Sequence, residues 1–284
     1  MFFLPFLYFL IFKYGPMFGL FIAFQDYNVF EGVFGSEWVG FYHFKEFLYD
    51  PYFWNLIRNT VLINVYMLIF YFPAPIVLAL LLNEVKHSSF KKIMQSISYL
   101  PHFLSTVVVS GMLVNLLSYD GLINQVIEYF GGNHIQFLML PEWFRTIYVS
   151  SEVWQRIGWG SIIYIAALSG LDPHLYEAAR MDGANRWKQA WHVTLPGIMP
   201  VISILFLLTL GDIMSVGFEK VLLLYNGSTY ETADVISTYV YRRGLVGADF
   251  SYGTAVGLFQ SVIALVLIYA ANKGARKVGA TSLW

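Results

Sequence analysis

Six stretches of this chain are long and apolar enough to cross a lipid bilayer, and few folds other than a helical membrane protein tolerate that pattern. A spanning helix needs about 20 mostly apolar residues, because a rise of ~1.5 Å per residue must cover a hydrocarbon core of ~30 Å. The stretches run roughly over 2–24, 61–82, 93–117, 147–168, 197–218 and 253–271. They predict an all-α integral membrane protein with six transmembrane helices, forming one domain over residues 1–284. Composition agrees: 57% of residues are hydrophobic and 12% charged, against about 25% charged in an ordinary soluble domain. With 17 Lys+Arg against 18 Asp+Glu, no global field points to a nucleic-acid partner. The lack of cysteine excludes a disulfide framework, a thiolate metal site and a catalytic thiol.

Loops between the stretches alternate in character. One set is short and basic, carrying Lys86, Lys91 and Lys92, then Arg180, Arg186 and Lys188, then Lys273, Arg276 and Lys277. The positive-inside rule makes this set cytoplasmic, and with it both termini. The other set, about 25–58, 118–146 and 219–252, is longer, aromatic and acid-rich, and is assigned to the outside. Pro73, Pro75, Pro101 and Pro200 predict kinks in the second, third and fifth spans. The first span lacks the basic start and small-residue cleavage site of a signal peptide. It is expected to be retained, behind a polar cytoplasmic tail.

The cytoplasmic insert 172–195 is the most unusual polar segment. Asp172-Pro173 suits a helix start, since Asp accepts from first-turn amides and Pro loses nothing at the first helical position. A helix is predicted over Pro173–Asp182, ended by Gly183, and a second over Arg186–His192, closed by Pro196. This helix-turn-helix lies between spans four and five, with Ala178 and Ala179 as a small-residue patch that another surface can approach. The plainer alternative is an amphipathic loop resting on membrane lipid through Trp187 and Trp191.

Glu177-Ala178-Ala179, Asp182-Gly183-Ala184 and Leu195-Pro196, at these spacings before the penultimate span, resemble the EAA signature of permease subunits in binding-protein-dependent ABC importers. Phe24-Gln25-Asp26-Tyr27-Asn28, Trp38-Val39-Gly40, Arg58-Asn59-Thr60, Gly121-Leu122-Ile123-Asn124, Gly217-Phe218-Glu219 and Asn226-Gly227 extend the similarity to the maltose-type branch that imports oligosaccharides and complex sugars. The resemblance implies a bacterial inner-membrane permease with a second, related permease, two cytoplasmic ATPase subunits that bind ATP and Mg, and an external sugar-binding protein. Residues 177–179, 182–184 and 195–196 would form the ATPase-coupling site, with Glu177 contacting a basic residue of the ATPase. Ala190-Trp191 departs from the family, which usually has phenylalanine and a second aromatic there. Polysaccharide fragments such as alginate oligosaccharides are the cargo the subgroup suggests.

Charges inside spans cost about 2.5 to 3.5 kcal/mol each on insertion scales, so each needs a partner or a wet path. Glu152 and Arg156, four apart, are expected to pair on one helix face or to line the substrate path. Asp212 either faces that path or is solvated near the outer surface, and Lys13 snorkels or meets another subunit. Arg242-Arg243 would either favour an acidic cargo or serve as a solvated or protein-contacting pair. Without a phosphate-cradling Gly-x-x-x-x-Gly-Lys loop the chain is not expected to hydrolyse ATP, and its six histidines form no metal-binding pair. The expected function is therefore non-catalytic transport of a complex sugar, the alternative being an ion-gradient-driven carrier with buried carboxylates near the midplane and paired repeats.

Overall fold

Proline sets where the long helices bend. In the computed structural model, which describes residues 3–211 and 216–277, α1 runs over Phe3–Phe24. A two-stranded ribbon follows, Gln25–Asp26 pairing antiparallel with Glu37–Trp38, and then α2 over Tyr42–Tyr49. The next helix, α3, covers Phe53–Glu84. Pro73 cannot donate into it, and the preceding turn widens over Met67–Tyr71, so that the Phe72 amide reaches back to Met67 O at 3.0 Å.

Ile93–Leu117, expected as one span, is divided. α4 covers Ser88–Tyr99, a tight turn over Leu100–Phe103 contains Pro101, and α5 starts at Thr106 and ends at Leu117. Pro101 forces the interruption, and Ser105 then caps α5 by accepting the Val108 amide at 3.3 Å. A bend leads into α6, Leu122–Tyr129, so the apolar segment in the structure is Thr106–Tyr129 and the expected outer loop 118–146 is partly helical.

α7 spans 29 residues without interruption over Pro141–Ser169 and contains the whole of the fourth expected span. It joins two of the three buried apolar clusters found among the described residues. Phe144, Tyr148 and Val149 pack with Ile63 of α3, while Tyr164 and Leu168 pack with Ile76 and Ala79 farther along α3. A Cβ on Gly158 would lie 2.0 Å from Ser98 O, so only glycine lets α7 approach α4 this closely.

Beyond α7, α8 covers Pro173–Met181 and α9 covers Arg186–Leu210. Pro196 does not close a short second helix, as expected; it lies inside α9. A wide turn over Ala190–Thr194, with the Leu195 amide bonding Ala190 O, carries the helix into the proline without a break. Asp212 lies outside the described residues. α10 is Phe218–Leu224, α11 is Ile236–Val240 and α12 is Phe250–Lys277.

Five helical segments are long and apolar enough to cross a membrane among the described residues: Phe3–Phe24, Phe53–Glu84, Thr106–Tyr129, Arg186–Leu210 and Phe250–Gly274. α7 is long enough too, but Arg145, Glu152, Gln155 and Arg156 make it too polar to join them.

Several short motifs noted in the sequence are clasps on the loops. Asn59 Nδ2 donates to Glu231 O and Asp234 O, both at 3.0 Å, and Thr60 Oγ1 accepts the Ile236 amide at 3.2 Å. Asn124 brackets Ile135, accepting its amide and donating to its carbonyl at 2.9 Å each, and Asn226 donates to Leu138 O at 2.7 Å. Side-chain amides thus satisfy backbone groups in segments that form no ladder of their own.

Candidate functional site

The insert folds locally as its residues dictate. Asp172 Oδ1 accepts the His174 amide at 2.9 Å, and Pro173 opens α8. Gly183 has φ +75°, a left-handed conformation that costs glycine nothing, and the Ala184 amide returns to Ala179 O at 2.9 Å. Asn185 Oδ1 caps α9 through the Lys188 amide at 2.9 Å. Tyr176 OH and Thr194 Oγ1, 3.0 Å apart, tie the two arms together.

The structure brings residues 177–184 onto one projecting turn. Glu177, Ala178, Asp182 and Gly183 are exposed, Ala179 and Ala184 partly so. Among the described residues Glu177 has one polar partner, His174 at 3.3 Å, and its side chain remains 63% exposed. The insert also bares the apolar side chains of Leu175, Met181 and Trp187. Leu195 does not project; it packs with Leu171 against the cluster of Ile76, Leu168 and Ile198, rooting the turn in α3 and α7. Pro196 is exposed beside it. Arg186 Nη1 adds a loose contact to Glu84 Oε2 at 3.5 Å.

Glu152 and Arg156, on the helix α7 that precedes the turn, do pair, Arg156 Nε lying 3.0 Å from Glu152 Oε2. A third member was not anticipated. Lys220 Nζ, on α10, donates to Glu152 Oε1 at 2.8 Å and to Gln155 Oε1 at 3.3 Å, and the Lys220 side chain is only 2% exposed. Burial pulls the Lys220 ammonium below its ordinary pKa, and Glu152 beside it works in the opposite direction. Gln155 Nε2 also donates to Leu104 O at 3.0 Å, supporting the backbone between Pro101 and α5. Tyr148 accepts the Gly217 amide at 3.0 Å. A signal for Lys220 existed in the sequence: a lone cation in Phe-Glu-Lys-Val-Leu-Leu-Leu demands a partner. Nothing local said that the partner lies 68 residues earlier.

These charges border a cavity of about 680 Å³ between α3, α7, α9 and α10, walled by Asn64, Tyr71, Tyr164, Thr209 and Glu219 among others. Both Glu152 and Arg156 line it.

Arg242 and Arg243 are not a free basic pair. Arg242 forms a two-pronged bridge to the fully buried Asp234 and stacks on Tyr230, 4.8 Å from the ring centre. Arg243 is shared among Glu46, Asp50 at 3.6 Å and Asp249 at 3.3 Å, over the face of Tyr252. Hydrogen bonding to Asp234 holds the Arg242 guanidinium above its usual range. Internal carboxylates therefore occupy the sites that an acidic cargo would need, because they are brought in from 197 residues away as well as from the same loop.

The family model described as "binding-protein-dependent transport system inner membrane component" matches residues 72–273. Over 279 residues the chain is 49% identical to the polygalacturonan/rhamnogalacturonan transport system permease protein YteP of Bacillus subtilis, covering 98% of this chain and 87% of that one. It is 47% identical to Protein LplB of the same organism, covering 95% and 86%. Its fold matches a chain in the crystal structure of a bacterial ABC transporter involved in the import of the acidic polysaccharide alginate, with a TM-score of 0.92 and 44% identity over 98% of this chain and 94% of that one. A second match, TM-score 0.91 and 44% identity over 98% and 93%, is a bacterial alginate ABC transporter in complex with an alginate pentasaccharide-bound periplasmic protein.

Proposed function

Because the chain belongs to the family of binding-protein-dependent transport system inner membrane components, we propose that it is the permease subunit through which an ABC importer moves an oligosaccharide into the cytoplasm. The observation that carries this is the end-to-end similarity to sugar permeases, at 49% identity, joined to a projecting turn that bears the Glu177 to Ala184 set. The subunit is non-catalytic. It works beside a second permease, two ATPases and an external sugar-binding protein, and the ATPases bind and hydrolyse the ATP. An ion-gradient carrier is set aside because the similar solved structures are ABC transporters, one of them in complex with a periplasmic protein.

In this reading α7 is the sixth span, its charges turned to the cavity and to α10 rather than to lipid. Both termini and the insert are cytoplasmic. The insert is the coupling element: α8 seats in a groove of the ATPase, with Glu177 as the charged contact, typically worth ~1.5 to 3 kcal/mol. Gly183 fixes the angle between the arms, and Leu195-Pro196 transmits the push into α9 because Leu195 is embedded among side chains of α3 and α7. Closure of the ATPase pair then moves the spans as a rigid body, the interior being too densely packed to absorb the displacement.

Absence of cysteine provides a clean test. Met181→Cys, co-expressed with the ATPase subunit carrying single cysteines around its groove, is expected to give a site-specific disulfide whose yield changes with ATP. Labelling of that cysteine from the cytoplasm without any crosslink would return the insert to a lipid-resting loop. Glu177→Lys and Gly183→Val are expected to leave the subunit in the membrane while sugar uptake falls at least about 10-fold, as loss of ~1.4 kcal/mol of coupling contact requires.

A further inference from the structure

Arg156 differs from the arginines of the outer loops in what its side chain has left to offer. It meets Glu152 through Nε at 3.0 Å, and neither Nη1 nor Nη2 makes a hydrogen bond among the described residues. Its side chain is 49% exposed and borders the cavity. Glu152, its neighbour, is already neutralised through its other oxygen by the buried Lys220. One carboxylate between two cations leaves the cluster with a formal charge of +1, and the exposed member carries it into the cavity. Arg242 and Arg243, by contrast, are consumed by Asp234 and by Glu46, Asp50 and Asp249.

We propose that Arg156 is a cargo-binding residue that holds the carboxylate of a uronic-acid sugar in the cavity between α3, α7, α9 and α10. This rests on the reading of the chain as an oligosaccharide permease. A guanidinium edge with two parallel N–H groups matches a carboxylate in geometry as well as charge. The cavity, about 680 Å³, falls within the ~300–1,000 Å³ typical of small-molecule sites. Its wall supplies the other parts a sugar needs: Tyr71 as a ring face, and Asn64 and Thr209 as hydroxyl partners. Glu219, the second carboxylate on the wall, is exposed and makes no ion pair among the described residues. It opposes an anion at long range and accepts from sugar hydroxyls at short range. Recognition is therefore local to the Arg156 fork, not a property of the cavity's overall field. Lys220 acts as a positioning residue: by occupying Glu152 Oε1 it limits that carboxylate to one bond with Arg156, so the fork stays free.

The test is equilibrium binding of trigalacturonate and of its neutral methyl ester to the purified complete importer, without the binding protein. Wild type should bind the acid at least 10-fold tighter than the ester. Arg156→Gln should abolish that preference, weakening binding of the acid far more than binding of the ester, and Arg156→Lys, which keeps the charge but not the fork, should fall between. Retained stimulation of ATPase activity by the loaded binding protein certifies assembly of each variant, and Arg156→Lys decides the matter if Arg156→Gln fails to assemble. No preference in wild type, or the same preference in the variants, overturns the proposal. ATP-driven uptake by wild type is measured in parallel: its absence strikes the permease reading itself, whereas uptake with no Arg156 effect strikes only this inference.

Discussion

The projecting turn at 172–195 and the Lys220–Glu152–Arg156 cluster differ in where their determinants sit in the chain. In the turn, Asp172, Pro173, Gly183 and Asn185 each act on amides two or three residues away or on their own backbone, so the conformation is set inside a 24-residue window. In the cluster, one cation comes from the same helix face and the other from α10, 68 residues on. The turn is exposed and its contacts are weak singly. In the cluster Lys220 and Glu152 are buried and their contact is strong because water cannot replace it, while Arg156 is half-exposed. A docking element needs free side chains, and a charge within the spans needs captive ones.

That contrast predicts unequal costs of substitution. The largest falls on Lys220→Met, which leaves Glu152 buried with only the half-exposed Arg156 beside it; a loss of about 3 to 5 kcal/mol is expected in equilibrium unfolding of the purified subunit. Adding Glu152→Gln should recover much of it, and a double variant as unstable as the single one would show that the pair is not the source. Next is Gly158→Ala. Its Cβ would meet Ser98 O at 2.0 Å, and pushing α4 off α7 should cost about 1 to 3 kcal/mol by the same measurement. Asp172→Ala removes only a cap, about 1 kcal/mol, and should appear as faster amide hydrogen exchange over 174–178 with the rest of the chain unaltered. Smallest is Glu84→Gln, which breaks an exposed 3.5 Å contact with Arg186. A shift beyond about 0.5 kcal/mol would mean that the turn is braced from outside more than its exposure implies.

The outer arginines show a second side of the difference. Arg242-Arg243 looked available in sequence, because the four carboxylates that take them lie at 46, 50, 234 and 249. Glu152 and Arg156 were legible as a pair, since spacing of four on a helix places them on one face. The division of Ile93–Leu117 was partly legible at Pro101, yet a kink and a break read alike without Ser105 capping α5 and Gln155 holding Leu104 O. Pro196 was misjudged for the opposite reason. A proline ends a helix only when the preceding turn cannot widen, and Ala190–Thr194 does widen.

Sequence by itself determined the membrane class, most of the apolar segments, the Asp172 cap and the left-handed glycine of the turn, and the family motifs. Each of these depends on periodicity or on bonds between residues close along the chain, where chain connectivity already confines the partners. Only the tertiary structure decided which charges are spent and which are free. A long side chain's partner is fixed by whichever helix packs beside it, and that packing brings Lys220 to Glu152, carries Glu46 to Arg243, and leaves the fork of Arg156 facing the cavity.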